Sequence, residues 1–264
     1  MVRIFISATI VFFLLSGLKT SVLANKLNDI IEVNLLQGWR EDNGTHISGL
    51  EIILAPGWKT YWRYPGDTGI PPQFDFSNSY DLKVLRVMYP VPKFTWEDGF
   101  RSIGYHNSVI FPIIIQTNSA EVPTLNGKVD LGICKDVCIP ASFTFSSNLL
   151  PIYAKDNKIE NSIRNLPERG REKITCYFTP VKDGLRISLS IPLLDQEIQN
   201  VIIELENPNS SVETPKINRI GNQFKISANI ITATGGPISV KRSEVVTTIF
   251  SDTVTSEFKG CYPP

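Results

Sequence analysis

The chain has 264 residues, 42% of them hydrophobic, with 26 basic and 26 acidic side chains. That much apolar material supports packed cores rather than a disordered tail. Zero net charge with scattered positives gives no electrostatic case for nucleic acid.

Met1 to Ala24 has Arg3 in a short positive start, an apolar run from Ile4 to Leu18, and in Val22-Leu23-Ala24 suitable residues three before and one before a cut. This reads as a secretory signal peptide. The next residue is not Cys, so there is no lipoprotein signature. The longest later apolar run, Val109 to Ile115, is too short to span a bilayer. The mature protein is expected to be exported and not membrane-spanning, with 24 basic residues (26 less Arg3 and Lys19) against 26 acidic. In an oxidising compartment its four cysteines can be disulfides.

The 18 prolines and 17 glycines that punctuate short apolar segments predict an all-β protein of two β-sandwich domains joined by a short helical linker, sandwiches that the resemblance given below implies to be immunoglobulin-like. The expected boundaries are 1–24 signal peptide, 25–150 first domain, 151–173 linker and 174–264 second domain. Strands of the first domain are expected at Ile30 to Leu36, His46 to Leu54, Leu82 to Val87 and Val109 to Gln116.

Two more strands flank a pair of cysteines in Lys128 to Phe145. Val129, Leu131 and Ile133 alternate with Asp130 and Gly132, and Ile139, Ala141, Phe143 and Phe145 alternate with Pro140, Ser142 and Thr144. Four residues of extended strand span roughly 13 Å, well beyond the ~4.4 to 6.8 Å that a disulfide accepts between Cα atoms. The chain must therefore turn at Lys135-Asp136-Val137, which sets Cys134 opposite Cys138 and Ile133 opposite Ile139. Both thiols fall out of phase with the apolar set, so both are expected on the face away from the core and reachable.

Three readings of this pair stand side by side. A disulfide closing so short a loop removes only about 2 kcal/mol of unfolded-chain entropy, which makes it a poor staple, yet close-spaced structural bridges occur in secreted domains. Exposure favours redox chemistry. A metal site needs further ligands, and the chain has only His46 and His106 to add.

A helix is predicted over Asn157 to Leu166: Asn157 and Glu160 have capping-box spacing, Ile159, Ile163 and Leu166 fall on one face, and Pro167 stops it. The mixed-charge run Glu168 to Lys173 reads as solvated linker. Beyond it, Leu185, Ile187, Leu189 and Ile191 alternate with polar residues, as do Phe224, Ile226, Ala228 and Ile230, and Val201 to Leu205 and Val245 to Phe250 add strands. Cys176 and Cys261 bracket this region, and a bridge between them would close its whole sheet system. The competing reading leaves Cys261, three residues from the end, free to exchange with a partner.

Several motifs of the first half agree in order with a known family: Pro56-Gly57-Trp58-Lys59-Thr60-Tyr61-Trp62-Arg63, then Pro65-Gly66-Asp67 with Gly69-Ile70-Pro71-Pro72, then Trp96-Glu97-Asp98-Gly99-Phe100 leading to Gly104-Tyr105, and Cys134 with Cys138-Ile139-Pro140. From about Leu35 to Leu150 the chain resembles the amino-terminal periplasmic domain of thiol:disulfide interchange proteins of the DsbD and ScsB type. The spacing of the two cysteines is shorter than the DsbD pattern and suits the ScsB-like branch. The resemblance implies an immunoglobulin-like domain in the periplasm whose Cys134 and Cys138 pair is reduced by a membrane or thioredoxin-like electron donor and then reduces oxidised periplasmic proteins. It implies a cap loop with Phe100 at its aromatic position, Tyr61 near the pair, and Glu97 and Asp98 as acidic cap-loop neighbours. Plainer readings pack Phe100 as an ordinary aromatic and leave the two acids to solvation. Cys138 is the cysteine expected to form the mixed disulfide.

Electrons are expected from a separate protein, because the sequence shows no electron-carrying membrane segment or thioredoxin-like domain after the second β region. No metal or small cofactor is called for. The alternative from another class is a non-catalytic periplasmic binding or assembly module that keeps the hairpin disulfide for stability. A hydrolase is remote, since neither His46 nor His106 has a nucleophile setting.

Overall fold

The computed structural model describes residues 27–97, 99–117, 122–192, 197–205, 210–232 and 238–264. The expected signal segment, residues 1–24, lies outside them, as does Asp98. The fold is all-β and immunoglobulin-like, built almost wholly from antiparallel sheets. Among the described residues no helix is long and apolar enough to cross a membrane.

The chain divides into two compact units, one made of residues 1–86 and 94–154, the other of 87–93 and 155–264. In the first unit, β1 (Ile31–Arg40), β2 (Thr45–Leu54), β8 (Ser108–Thr117) and β5 (Leu82–Val87) form one sheet in the order β1-β2-β8-β5. The second sheet runs β10 (Cys138–Asn148), β9 (Thr124–Cys134), β3 (Lys59–Gly66), β7 (Phe100–His106) and β6 (Lys93–Glu97), with the short β4 (Gln73–Asp75) also paired to β9.

The two sheets face each other through residues whose alternation the sequence displays. Leu50 and Ile52 of β2, Phe111, Ile113 and Ile115 of β8, and Val129, Leu131 and Ile133 of β9 are all buried. Phe111 meets Tyr105 of β7 edge-on at 5.5 Å and Phe74 of β4 at 5.6 Å, which locks one sheet onto the other. Each such side chain contributes about 1.5 to 3 kcal/mol by leaving water.

In the second unit the helix α1 (Asn157–Arg164) buries Ile159. Its N-cap is Asp156, whose carboxylate accepts from the Lys158 and Ile159 backbone N–H groups, rather than Asn157 as the capping-box spacing predicted. An aspartate one residue earlier satisfies the same orphan donors and sits better in the positive field of the helix start.

The run expected as solvated linker departs from that reading. Glu168–Arg169 is a short strand, β11, paired in parallel with β19 (Thr255–Lys259), and the Gly170 N–H donates to the Glu257 carbonyl at 2.9 Å. The charged side chains do stay exposed, but the backbone joins an edge, which mixed charge on the side chains does not prevent. With β18 (Val245–Ser251) and β14 (Ile198–Leu205) it forms the sheet β11-β19-β18-β14.

The facing sheet is β12 (Thr175–Val181), β13 (Gly184–Pro192), β17 (Gln223–Thr232) and β15 (Ser210–Val212), with β16 (Lys216–Ile220) also on β17. Its register pairs Leu185 with Ile230, Ile187 with Ala228, Leu189 with Ile226 and Ile191 with Phe224, the two alternating sets read from the sequence. Cys176 and Cys261 are bonded, and the chain end is held further by the Cys176 N–H donating to the Tyr262 carbonyl at 2.8 Å and the Tyr262 N–H donating to the Ile174 carbonyl at 2.9 Å. The reading of Cys261 as mobile does not describe this state.

Candidate functional site

The cysteine hairpin has the register that its apolar pattern demanded: Cys134 opposite Cys138, Ile133 opposite Ile139, Leu131 opposite Ala141 and Val129 opposite Phe143. The two sulfurs are bonded across a Cα separation of 4.1 Å. β10 is the edge of its sheet, so the second cysteine stands at a border while the first lies inside, with β3 on its other side through Lys59.

Here the structure corrects one expectation. Cys138 is exposed, but Cys134 is only 1% accessible. Phase alone put both thiols on the non-core face; what phase does not report is that this face is covered. The segment after β3 folds back over it, and the Gly132 N–H donates to the Ile70 carbonyl at 3.1 Å. A Cβ at Gly132 would stand 2.9 Å from the Ile70 Cβ, and one at Gly69, where φ is +132°, would enter the Tyr61 ring at 2.3 Å. The two glycines are therefore what allow the covering segment to lie flat on the sheet.

On β3 the side chains alternate between the two faces. Thr60 and Trp62 point with the core set, and Lys59 and Tyr61 with the cysteines. Tyr61 is fully buried, and its hydroxyl reaches the Cys138 Sγ at 3.5 Å; with that sulfur in a disulfide, the phenol is the donor. Burial pushes the Tyr61 phenol above its ordinary value, a hydrogen bond with Ser102 acts against this, and the Glu97 charge adds to it. Tyr61 therefore keeps its proton through neutral pH.

Lys59 is buried as well, and its Nζ donates to the Glu97 carboxylate at 2.6 Å and to the Ser102 Oγ at 3.3 Å. A buried ammonium demands such partners. Glu97 is thus engaged with a cation rather than standing as a bare acid beside the thiols. The Glu97 side chain is 54% exposed against 7% for Lys59, so water screens the carboxylate from one side.

The sheet accordingly gathers Cys134, Cys138, Tyr61 and Glu97, four of the residues singled out in the sequence. Phe100 opens β7 and is exposed, so in this state it is not packed into a core. Gly99 before it has a φ of +85°, and a Cβ there would meet nothing within 4 Å. His106 stands opposite Lys59 on β7, while His46 is buried in β2 with Nε2 against the Gln37 carbonyl at 2.8 Å. Among the described residues no group of three or more His, Cys, Asp or Glu is placed to hold a metal ion.

Sequence reasoning gave no role to Lys59 or Ser102 or to the covering by Gly69 and Ile70. The signal for Lys59 was available: once Tyr61 is set on the cysteine face, period two places Lys59 beside it.

Residues 32–149 match the family described as thiol:disulfide interchange protein DsbD, N-terminal. Over these residues the first unit matches a DsbD-type amino-terminal domain. The match ends before α1, so all of the second unit except residues 87–93 lies outside it. The fold of both units is similar to the N-terminal periplasmic domain of ScsB from Proteus mirabilis, with a TM-score of 0.66 and 21% identity over 89% of this chain and 94% of that one. No curated protein sequence matches the chain. The match of residues 32–149 to the DsbD amino-terminal family points to thiol:disulfide interchange as the general activity of this domain.

Proposed function

We propose that the chain is a periplasmic electron relay, taking electrons from a membrane or thioredoxin-like donor and passing them to oxidised periplasmic proteins through Cys134 and Cys138. The observation that carries this reading is the asymmetry of the pair: one sulfur is offered at a sheet edge under a tyrosine hydroxyl, and its bonded partner is enclosed. The periplasmic setting rests on the apolar Ile4 to Leu18 run behind Arg3 and on the described location of the ScsB domain.

The chemistry is thiol–disulfide exchange. A donor thiolate attacks the Cys138 Sγ, the Cys134–Cys138 bond breaks, and its electron pair leaves on the Cys134 Sγ. The donor's second thiolate then attacks the donor sulfur of the mixed disulfide and releases Cys138, so the donor is oxidised and the pair reduced. With an acceptor the sequence reverses: Cys138 attacks the acceptor disulfide, and Cys134 displaces the reduced acceptor. Tyr61 donates to the sulfur of Cys138, and by family resemblance Phe100 and Glu97 take the place of a cap segment, with Phe100 exposed in this state.

Trapping with a thioredoxin-like protein in its disulfide form tests the assignment. Cys134→Ala should accumulate a mixed disulfide at Cys138, because the resolving thiol is gone. A complex trapped by Cys138→Ala and not by Cys134→Ala would reverse the roles. A wild-type pair that no dithiol protein reduces would leave the hairpin bridge as a staple in a binding module.

A further inference from the structure

Each sulfur of the pair has its own polar neighbour on the covered face: the Tyr61 hydroxyl for Cys138 and, directly across the β3–β9 ladder, Lys59 for Cys134. Antiparallel partners project to the same face with Cβ atoms about 4.5 to 5.5 Å apart. We infer that Lys59 is a positioning residue for the exchange reaction, a buried cation divided between the Glu97 carboxylate and the thiolate that Cys134 becomes when its bond to Cys138 breaks. This rests on the relay reading given above.

The physical case has three parts. The Cys134–Cys138 bond releases its electron pair onto Cys134 whenever Cys138 is attacked, so a negative charge forms at a sulfur that is only 1% exposed and has little access to water. An isolated buried anion is costly, and a leaving thiolate departs faster when its pKa is low. Lys59 is buried and stands opposite Cys134 in the β3–β9 ladder.

Two of its three ammonium hydrogens are placed on Glu97 and Ser102, so Glu97 competes with Cys134 for the same charge. Because Glu97 closes β6 just before the turn that leads to Phe100, any movement of that segment away from the sheet would relax its hold on Lys59. The titratable groups next to this site are Tyr61 on β3, Cys138 at the start of β10 and His106 opposite Lys59 on β7, while Lys135 and Asp136 of the hairpin turn are exposed. Lys135 runs over Gly57, where a Cβ would meet its Cε at 3.3 Å, on the exposed side of the turn.

The inference separates from a purely structural role by sign. If the ion pair only braces the sheet, then breaking it from either end has the same consequence. If Lys59 is shared, removing the lysine and removing its competitor act in opposite directions. The measurement is a pH titration of isotope-labelled cysteine Cβ chemical shifts in the chemically reduced protein, which reads Cys134 by itself and requires no partner. Lys59→Met should raise the Cys134 midpoint by about one pH unit or more, Glu97→Gln should lower it, and Lys59→Arg should stay near wild type.

Glu97 is half exposed, so Glu97→Gln keeps its fold and decides the matter even where Lys59→Met does not fold. Midpoints that move in the same direction for Lys59→Met and Glu97→Gln, or a Glu97→Gln midpoint that is unchanged or raised, overturn the inference. The titration starts from protein reduced chemically, so it stands apart from the relay reading, which fails instead if no dithiol protein reduces the wild-type pair.

Discussion

The two disulfides of this chain differ in almost every respect that bears on what a disulfide can do. Cys134 and Cys138 are four residues apart at the tip of a hairpin whose register would hold without a bond, and one of the sulfurs is exposed. Cys176 and Cys261 are 85 residues apart, one of them fully buried among Ile174, Leu189 and Phe258, and together they tie β12 to the chain end. By loop entropy the short bridge is worth about 2 kcal/mol and the long one roughly 4 to 5. The bond that stabilises least leaves one of its cysteines exposed, whereas in the bond that stabilises most one cysteine is fully buried and the other partly buried.

The largest effect that would break this comparison is on exchange activity. Cys138→Ala is expected to abolish electron transfer to a disulfide acceptor, whereas the paired change Cys176→Ala with Cys261→Ala should leave it intact, as followed by acceptor thiol release. Stability should order the other way. Loss of the long bridge is expected to cost the second unit roughly 4 kcal/mol and loss of the short one about 2 or less in the first, measured by denaturant unfolding with hydrogen exchange to assign each transition to its unit.

A smaller effect sharpens the account of why Cys134 is enclosed. Gly69→Ala drives a methyl into the Tyr61 ring at a positive φ, so the covering segment must lift. A cost of about 1 to 3 kcal/mol is expected, together with faster attack by small thiols on the oxidised pair. Unchanged reactivity would show that the cover does not gate the sulfurs.

The smallest effect concerns pH and again divides the units. Burial, with the Arg40 charge adding to it, holds the His46 imidazole below its ordinary value against the raising effect of its bond to Gln37. A folded pKa below the unfolded value means that the unfolded chain takes the proton first. Stability from this source is therefore present above about pH 6.5 and lost as pH falls through the folded value. Both histidines of the chain belong to the first unit, so only that unit should show this acid-linked loss, and His46→Gln should flatten it in thermal melts across pH.

Much of the framework was legible in the sequence because most strands bury one face only. The alternations at Leu185 to Ile191 and Phe224 to Ile230 fix both strand and register, and Val129 to Ile133 does the same for the cysteine hairpin. The strand that builds the site was not legible in that way. In β3 the residues Lys59, Thr60, Tyr61 and Trp62 are all buried, so period-two contrast vanishes, and it was the ordered motifs rather than the pattern that marked the segment. Burial of Cys134 was hidden for the same reason: a loop from far along the chain covers its face, and a local pattern carries no trace of that. The misplaced helix cap and the strand at Glu168–Arg169 are smaller departures, set by a side chain one residue upstream and by a backbone partner 88 residues away.

The most direct test of the central claim is to equilibrate the protein in thiol buffers of graded potential and read the redox state of each cysteine by mass spectrometry. The account predicts that the Cys134–Cys138 pair exchanges readily above about −300 mV while Cys176–Cys261 stays oxidised in the same molecules, an internal reference for a structural bridge. A Cys134–Cys138 pair that stays oxidised alongside it, and whose removal only lowers the melting temperature, would contradict the account.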